Sequence, residues 1–489
     1  MILSVIGAPF WCVIIIGKEI QGSKMSKCET KQQKTIDMVN GSLWKNILFF
    51  SVPLMLSQIL EVLFNLSDVA IAGKFADYIA LGTVGSTTLL VSLFTGFLIG
   101  LGAGVNVRTA HRLGAGDSDG TAKTVYSALI VCTVIGIIVG LISNLFARPM
   151  LEMLNTKGEL IDSAVLYLKI YSLGLPAMAV YNFGNGVLSA CGETKRPLLY
   201  LTAAGILNVI LNLFFVIVCK KAADGVAIAS VIAQYVSAVL VVQNLLRRND
   251  SCRLYLSRKY FDKSSCISIL ILGIPAGIQN AVFAVANLFV QKGVNHFDAV
   301  MVSGNSAATN ADAIIYNVMA AFHTACASFA SRNLGAGKKD RITKCYFISL
   351  FFSFTSGAVL GGLLLIFGRQ FLAFFTNEPA VIEAGMERIK IMGWSYAISA
   401  FMDCTIAASR GIGKSVAPTV IVILGSCVFR VVWVYTVFAH YNTITSLYLL
   451  YSFSWAITAA AEIGYFIYAY KKQIAVNNAI GHSKETVRA

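Results

Sequence analysis

Charge is what this chain has least of. Asp, Glu, Lys and Arg make up 13% of its 489 residues, against about 25% in soluble domains. So few charges could not cover the water-facing surface of a protein this large, which excludes a cytosolic enzyme, a secreted disulfide scaffold and a disordered chain. Other absences narrow the field. No GxxxxGKS or GxxxxGKT loop occurs, so ATP hydrolysis within the chain is not expected. The 5 histidines are scattered, with no HExxH or similar pair to seat a catalytic metal. The 11 cysteines are odd in number and form no CxxC pair. Cys132, Cys326, Cys404 and Cys427 fall inside apolar runs and read as small packing residues rather than ligands or bridges. Residues 1–16 hold a short apolar run without the positive n-region of a signal peptide. A polar lead-in opens at Met25, so residues 1–24 are expected to be an upstream extension of the true start.

What the chain has instead is hydrocarbon. Hydrophobic residues make up 57% of it, and a membrane span needs about 20 mostly apolar residues. Twelve runs qualify, at about 46–73, 83–107, 123–147, 161–190, 197–219, 226–246, 267–291, 305–330, 343–367, 380–409, 417–439 and 447–470. The expected fold is an all-α polytopic membrane protein of twelve transmembrane helices. Lys and Arg collect in cytoplasmic loops. With the N-terminus inside, 28 of the 39 Lys and Arg fall on the cytoplasmic side, 10 fall outside and Arg430 lies within a span. Both termini are therefore expected in the cytoplasm of a protein of the cell membrane. The net charge of +15 is then mostly a topology signal, with no need of nucleic acid. The layout follows: an N-terminal segment 1–43, an N-lobe 44–246, a basic linker 247–266, a C-lobe 267–472 and a tail 473–489.

The halves repeat. LGAG at 113–116 recurs at 334–337, an offset of 221. Gly192, Thr194 and Pro197 recur as Gly413, Ser415 and Pro418 at the same offset, and Pro53 and Asn65 recur as Pro275 and Asn287 at 222. Six spans per half is an even number, so the repeats run parallel through the membrane. Two such lobes around a central cleft are an arrangement typical of alternating-access transporters. Gly96-xxx-Gly100-xxx-Gly104 and Gly136-xxx-Gly140 would let helices approach closely.

An ionisable side chain in hydrocarbon costs roughly 2.5–3.5 kcal/mol on insertion scales, so each needs a reason. Glu61, Asp68, Asp312, Asp403 and Glu462 lie within the spans. On the first span Ser57, Gln58, Glu61, Asn65 and Asp68 fall on one stripe about 100° wide, which must face protein or a water-filled cavity. Pro53 would bend this helix and serve as a gate. Asn208 and Asn212 share a face of span five, Asn182 lies on span four, and Ser230 and Gln234 share a face of span six. Their oxygens could coordinate Na⁺, with Asp68, Asn182 and Asn208 as ligands, or bond a protonated carboxyl. In the second half Asp403 stands 221 after Asn182 and Arg430 stands 222 after Asn208, which suggests an Asp403–Arg430 pair. Asp312 and His323 lie on one face of span eight, and function there is less expected.

From about residue 37 to 472 the chain resembles the multidrug and toxic compound extrusion (MATE) family. The resemblance is carried by Pro53…Asn65-Leu-Ser-Asp68, the duplicated LGAG, CGETKRP at 191–197, Asn208-xxx-Asn212 and Arg430-Val-Val-Trp433. It implies secondary active export of organic, usually cationic, small molecules in exchange for Na⁺ or H⁺, with no cofactor and no catalytic residue, by a chain expected to be a monomer in the bilayer. It also implies coupling at Asp68 with Asn182, Asn208 and Ser230, and a role for an acid near Asp403. Many relatives carry Asp where Asn212 stands and Gln where Glu61 stands. A lipid-linked oligosaccharide flippase is the alternative, and a membrane-embedded enzyme a weaker one.

Overall fold

The computed structural model describes residues 35–486, so the expectation for residues 1–24 lies outside the described residues. Twelve long helical spans follow in order. They are α1 (Leu43–Phe75), α2 (Tyr78–Gly114), α3 (Ser118–Leu145), α4 (Gly158–Ser172 followed by Leu175–Ala190), α5 (Lys195–Val218) and α6 (Ala223–Leu246). After the linker come α7 (Lys263–Val294), α8 (Ala299–Gly335), α9 (Lys339–Ala373), α10 (Pro379–Gly411), α11 (Val416–Tyr441) and α12 (Ile444–Thr486). No strand occurs among the described residues. Ten of these are long and apolar enough to cross a membrane, and α4 makes an eleventh if its two parts, bent by 44°, are one span. That bend falls where Gly174 precedes a helix with Pro176 in its first turn, because proline cannot continue the ladder of the preceding helix. The twelfth, α10, is long enough at 33 residues but is dense in charge: Glu383, Glu387, Arg388, Lys390, Asp403 and Arg410.

The duplication is visible in the backbone. Gly116 and Gly337, the last glycines of the two LGAG turns, take φ of +69° and +70°, and Gly192 and Gly413 both take +82°. Only glycine adopts these left-handed helix ends without strain. Each half encloses its own apolar core, one built on Leu98, Leu168, Phe183 and Val241, the other on Met319, Ala400, Tyr448 and Leu450.

The halves meet along α2 and α7. A Cβ on Gly104 would lie 2.6 Å from the backbone nitrogen of Gly273, so the helices can touch this closely only through glycine. Asn280 reaches over the same seam to the Gly96 carbonyl at 2.9 Å. Towards the LGAG turns Ser328 donates to Asn106 and Ser331 to the Val107 carbonyl, each at 2.7 Å. Residues 36–41 complete this end: Ile36 donates to Gly192 in the first half, while Asn333 and Arg341 of the second half donate to the Met38 and Gly41 carbonyls. Helix α1 straddles the division. Before Pro53 its Phe50 packs edge-on against Phe329 of α8; beyond Pro53, Phe64 packs over Gly205 of α5. The helix remains a single unbroken element through the proline.

Two cysteines outside the apolar runs are joined: Cys191, after α4, and Cys252, in the linker, form a disulfide. Nothing in their spacing pointed to it. Cys132, Cys326, Cys404 and Cys427 are buried and free.

Candidate functional site

The polar residues of the spans gather in two places. The first lies inside the N-terminal half, between α1, α5 and α6. Asp68 accepts from Asn212 Nδ2 at 2.6 Å and from Ser230 Oγ at 3.3 Å. Asn208 donates to Ser230 at 3.2 Å and accepts from Asn212 at 3.3 Å. The i,i+4 spacing of Asn208 and Asn212 puts both amides on the face of α5 turned to Asp68, and Asn208, Asn212 and Ser230 are all buried. Asn212 Oδ1 is buried and receives no hydrogen bond among the described residues. The site thus offers one carboxylate and three neutral oxygens from Asn208, Asn212 and Ser230, a set suited to a hard monovalent cation or to a proton on Asp68. No positive side chain forms an ion pair with Asp68 among the described residues.

Two expected members stand elsewhere. Asn182 turns back on its own helix, donating to the Met178 carbonyl at 3.1 Å, and lines the cavity described next. Asn65 is exposed, so the stripe on α1 divides: Ser57, Gln58 and Glu61 line that cavity, while Asp68 is engaged with α5 and α6.

The second place is a cavity of about 830 Å³ between the halves, within the range of pockets for small organic ligands. Glu61 faces it from α1 and makes no hydrogen bond among the described residues. The opposite wall is rich in charge. Arg388 forms an ion pair with Asp312 and donates to Asn305 at 3.0 Å, while Asp312 also accepts from the Tyr396 hydroxyl. Arg430 donates to Asn287 at 2.9 Å and lies over the rings of Tyr451 and Phe283, with centroids at 4.6 and 5.4 Å. Arg410 donates to Gln279 at 2.7 Å. Asp403 and Arg430 line the same cavity, but the expected pair does not form: no carboxylate comes within 4.0 Å of Arg430 among the described residues, and Asp403 Oδ2 has no partner. The packing of the helices leaves Asp403 beyond contact distance of Arg430, which bonds the amide oxygen of Asn287 on α7 instead. His323 bonds Ser353 at 3.0 Å and takes no part in the Asp312 cluster. Glu462 is fully buried, with neither oxygen hydrogen-bonded among the described residues.

Arg388 and Arg410 were not singled out by the sequence reading, which counted them with the charges of the two membrane faces. A signal existed: Arg388 falls well inside the 380–409 run, and Arg410 stands seven residues after Asp403, on the same helical face.

The MatE family profile matches residues 53–214 and again residues 275–436, two stretches displaced by 222 residues. The chain belongs to the MatE family. Family membership makes it a transporter handling small molecules in the membrane, and not an enzyme. The chain is 24% identical over 456 residues to the probable multidrug resistance protein YoeA of Bacillus subtilis, covering 91% of this MatE chain and 98% of that protein. Among solved structures, a MOP superfamily transporter from Pyrococcus furiosus superposes with a TM-score of 0.83 at 20% identity, covering 92% of this chain and all of that one. A multidrug resistance MATE family transporter in an outward-facing conformation gives a TM-score of 0.82 at 20% identity, with 91% and 99% covered. These likenesses support the twelve-helix, two-lobe fold.

Proposed function

We propose that this MatE protein is a multidrug efflux antiporter of the cell membrane, with both termini cytoplasmic, acting as a monomer and exporting amphiphilic organic compounds with a cationic group in exchange for Na⁺ or H⁺. The observation that carries the reading is the segregation of acids in the N-terminal half. Asp68 sits among neutral amide and hydroxyl donors away from the main cavity, whereas Glu61 faces that cavity. One carboxylate can bind the ion while the other meets the substrate.

With the LGAG turns cytoplasmic, the α2–α7 seam and residues 36–41 close the inner end, which corresponds to an outward-facing state. Coupling then works by differential affinity, because an ion moves the equilibrium only as far as it binds one state better than the other. Asp68 takes up the ion from outside. The change in its bonds to Asn212 and Ser230 shifts α1 against α5 and α6. Pro53, lying between the part of α1 that packs on α8 and the part that packs on α5, lets the two portions move separately. Substrate leaves outward, the lobes rock, and Asp68 releases its ion inside. A second reading, flipping of a lipid-linked oligosaccharide, takes support from the arginines of the C-terminal wall; Glu61 and Asp403 in the same cavity weigh against a pyrophosphate.

The test is ethidium efflux from cells expressing the chain, with Na⁺ and pH varied separately and an ionophore added. Asp68→Asn is expected to abolish gradient-dependent efflux while the protein stays folded in the membrane. Undiminished efflux by this variant would overturn the reading.

A further inference from the structure

The C-terminal wall of the cavity holds two guanidinium groups that no carboxylate among the described residues neutralises at contact distance. Arg430 is 2% exposed and Arg410 is mostly buried. Each has one neutral acceptor, Asn287 for Arg430 and Gln279 for Arg410. The Nε of each is buried and donates to nothing among the described residues. Their surroundings differ from those of Arg388, whose charge is matched directly by Asp312. Asp403 is within electrostatic reach of both arginines, and Glu462 of Arg410, but neither forms an ion pair with them. Burying a cation without a contact partner is costly, and an arginine kept so invites an oxyanion.

The backbone prepares the place. Around Arg430, helix α11 keeps one short α-helical stretch, Phe429–Trp433, between wider π-helical turns at Ile423–Val428 and Val434–Phe438. Such turns depart from regular helix packing and are frequent at functional sites. The faces of Tyr451 and Phe283 flank the Arg430 guanidinium, and Tyr316 and Trp455 line the same wall, giving an aromatic body a surface to stack on.

We propose that Arg410 and Arg430 form an oxyanion subsite, so that the exported compounds include aromatic zwitterions whose carboxylate or phosphate binds these arginines while their cationic group faces Glu61. The proposal rests on the export reading above and names the substrate class of its cavity.

The experiment uses the full chain in proteoliposomes and a matched pair of dyes: rhodamine 110, which carries a free carboxylate, and rhodamine 123, its methyl ester. The wild-type protein is expected to move both, and benzoate or phenyl phosphate is expected to inhibit rhodamine 110 transport selectively. The competitor that acts more strongly tells carboxylate from phosphate. Arg430→Gln and Arg410→Gln should each lower rhodamine 110 transport about tenfold or more and leave rhodamine 123 within about twofold. Equal losses for the two dyes, or rhodamine 110 transport unaffected by both substitutions, overturn the subsite. Where a variant fails to fold, the wild-type comparison decides: no rhodamine 110 transport, or no inhibition by either anion, also overturns it. Failure of the wild type to move either dye under any ion gradient counts instead against the export reading.

Discussion

Asp68 and Val290 occupy the same place in the two repeats, 222 residues apart, and so do Asn208 and Arg430. In the first repeat an acid is held by Asn212 and Ser230, with Asn208 behind them. In the second the acid has become valine, and an arginine stands where the asparagine was, bonded to Asn287 of α7. The same helical scaffold therefore carries an anionic pocket on one side and a cationic wall on the other. A site that must bind and release a small cation needs neutral ligands around its carboxylate, because a fixed positive charge nearby would compete with the ion. The second repeat is free of that constraint, and its charges face the cavity instead.

The sharpest way to break this comparison is to unbalance the charged half. Asp312→Ala leaves Arg388 buried without its partner and is expected to cost about 3–5 kcal/mol, read as a large fall in the unfolding temperature of the detergent-solubilised protein. Replacing both residues by apolar ones, Asp312→Leu with Arg388→Met, is expected to recover most of that loss. A double variant as unstable as the single one would show that Asp312 matters for something other than Arg388.

Next in size is the neutral half. Asn212→Ala removes the 2.6 Å bond to Asp68, and a hydrogen bond to a charged group is worth about 1.5–3 kcal/mol. The apparent affinity for the coupling ion should shift by at least about tenfold, and the unfolding temperature should fall, though by less than in Asp312→Ala. Asn212→Asp, by contrast, puts a second carboxylate beside Asp68 and is expected to raise the number of ions exchanged per substrate, measurable as charge moved per dye molecule in proteoliposomes. An unchanged ratio would mean that only Asp68 exchanges its ion.

Much of this was legible in the sequence because each signal was local. Apolar runs mark spans, the 221–222 offset marks the duplication, and i,i+4 spacing put Asn208 and Asn212 on one face. Asp68, Asn208, Asn212 and Ser230 were all singled out, and the structure brings them within hydrogen-bond reach of one another. The placement of Asn182 and Asn65 was not legible, since a helix face says only that a residue faces something, not which neighbour it meets. The Asp403–Arg430 pair failed for the same reason: opposite charges on neighbouring spans suggested a contact, but the packing keeps the two apart and Arg430 bonds Asn287 of a third helix. Arg388 was hidden by its neighbourhood. Lys390 and Glu387 beside it read as a solvated end of the span, and only the fold shows that Arg388 turns inward to Asp312. The Cys191–Cys252 bridge joins segments 61 residues apart, and no periodicity encodes such a meeting.

The smallest effect is expected where the repeats differ just after LGAG. Asp117 caps α3, accepting from the Gly120 amide at 2.8 Å, and pairs with Arg112 at 2.7 Å. Its counterpart 221 residues on is Lys338, which makes no side-chain cap for α9. Lys338 instead donates to Asn40 at 2.6 Å, tying the chain before α1 to the second half. One repeat spends the position on the helix start and the other on closing the LGAG end. Asp117→Ala is expected to lower stability by about 1 kcal/mol, the usual loss for an N-cap. Lys338→Ala loses only exposed bonds, to the Val39 carbonyl and to Asn40, and should stay within about 0.5 kcal/mol. It should nevertheless loosen residues 36–41, read as faster labelling of a cysteine placed at Val39, whose side chain takes no part in the Lys338 bonds. If both variants lower the unfolding temperature equally and labelling does not change, the two positions serve the same purpose and the contrast drawn here between them fails.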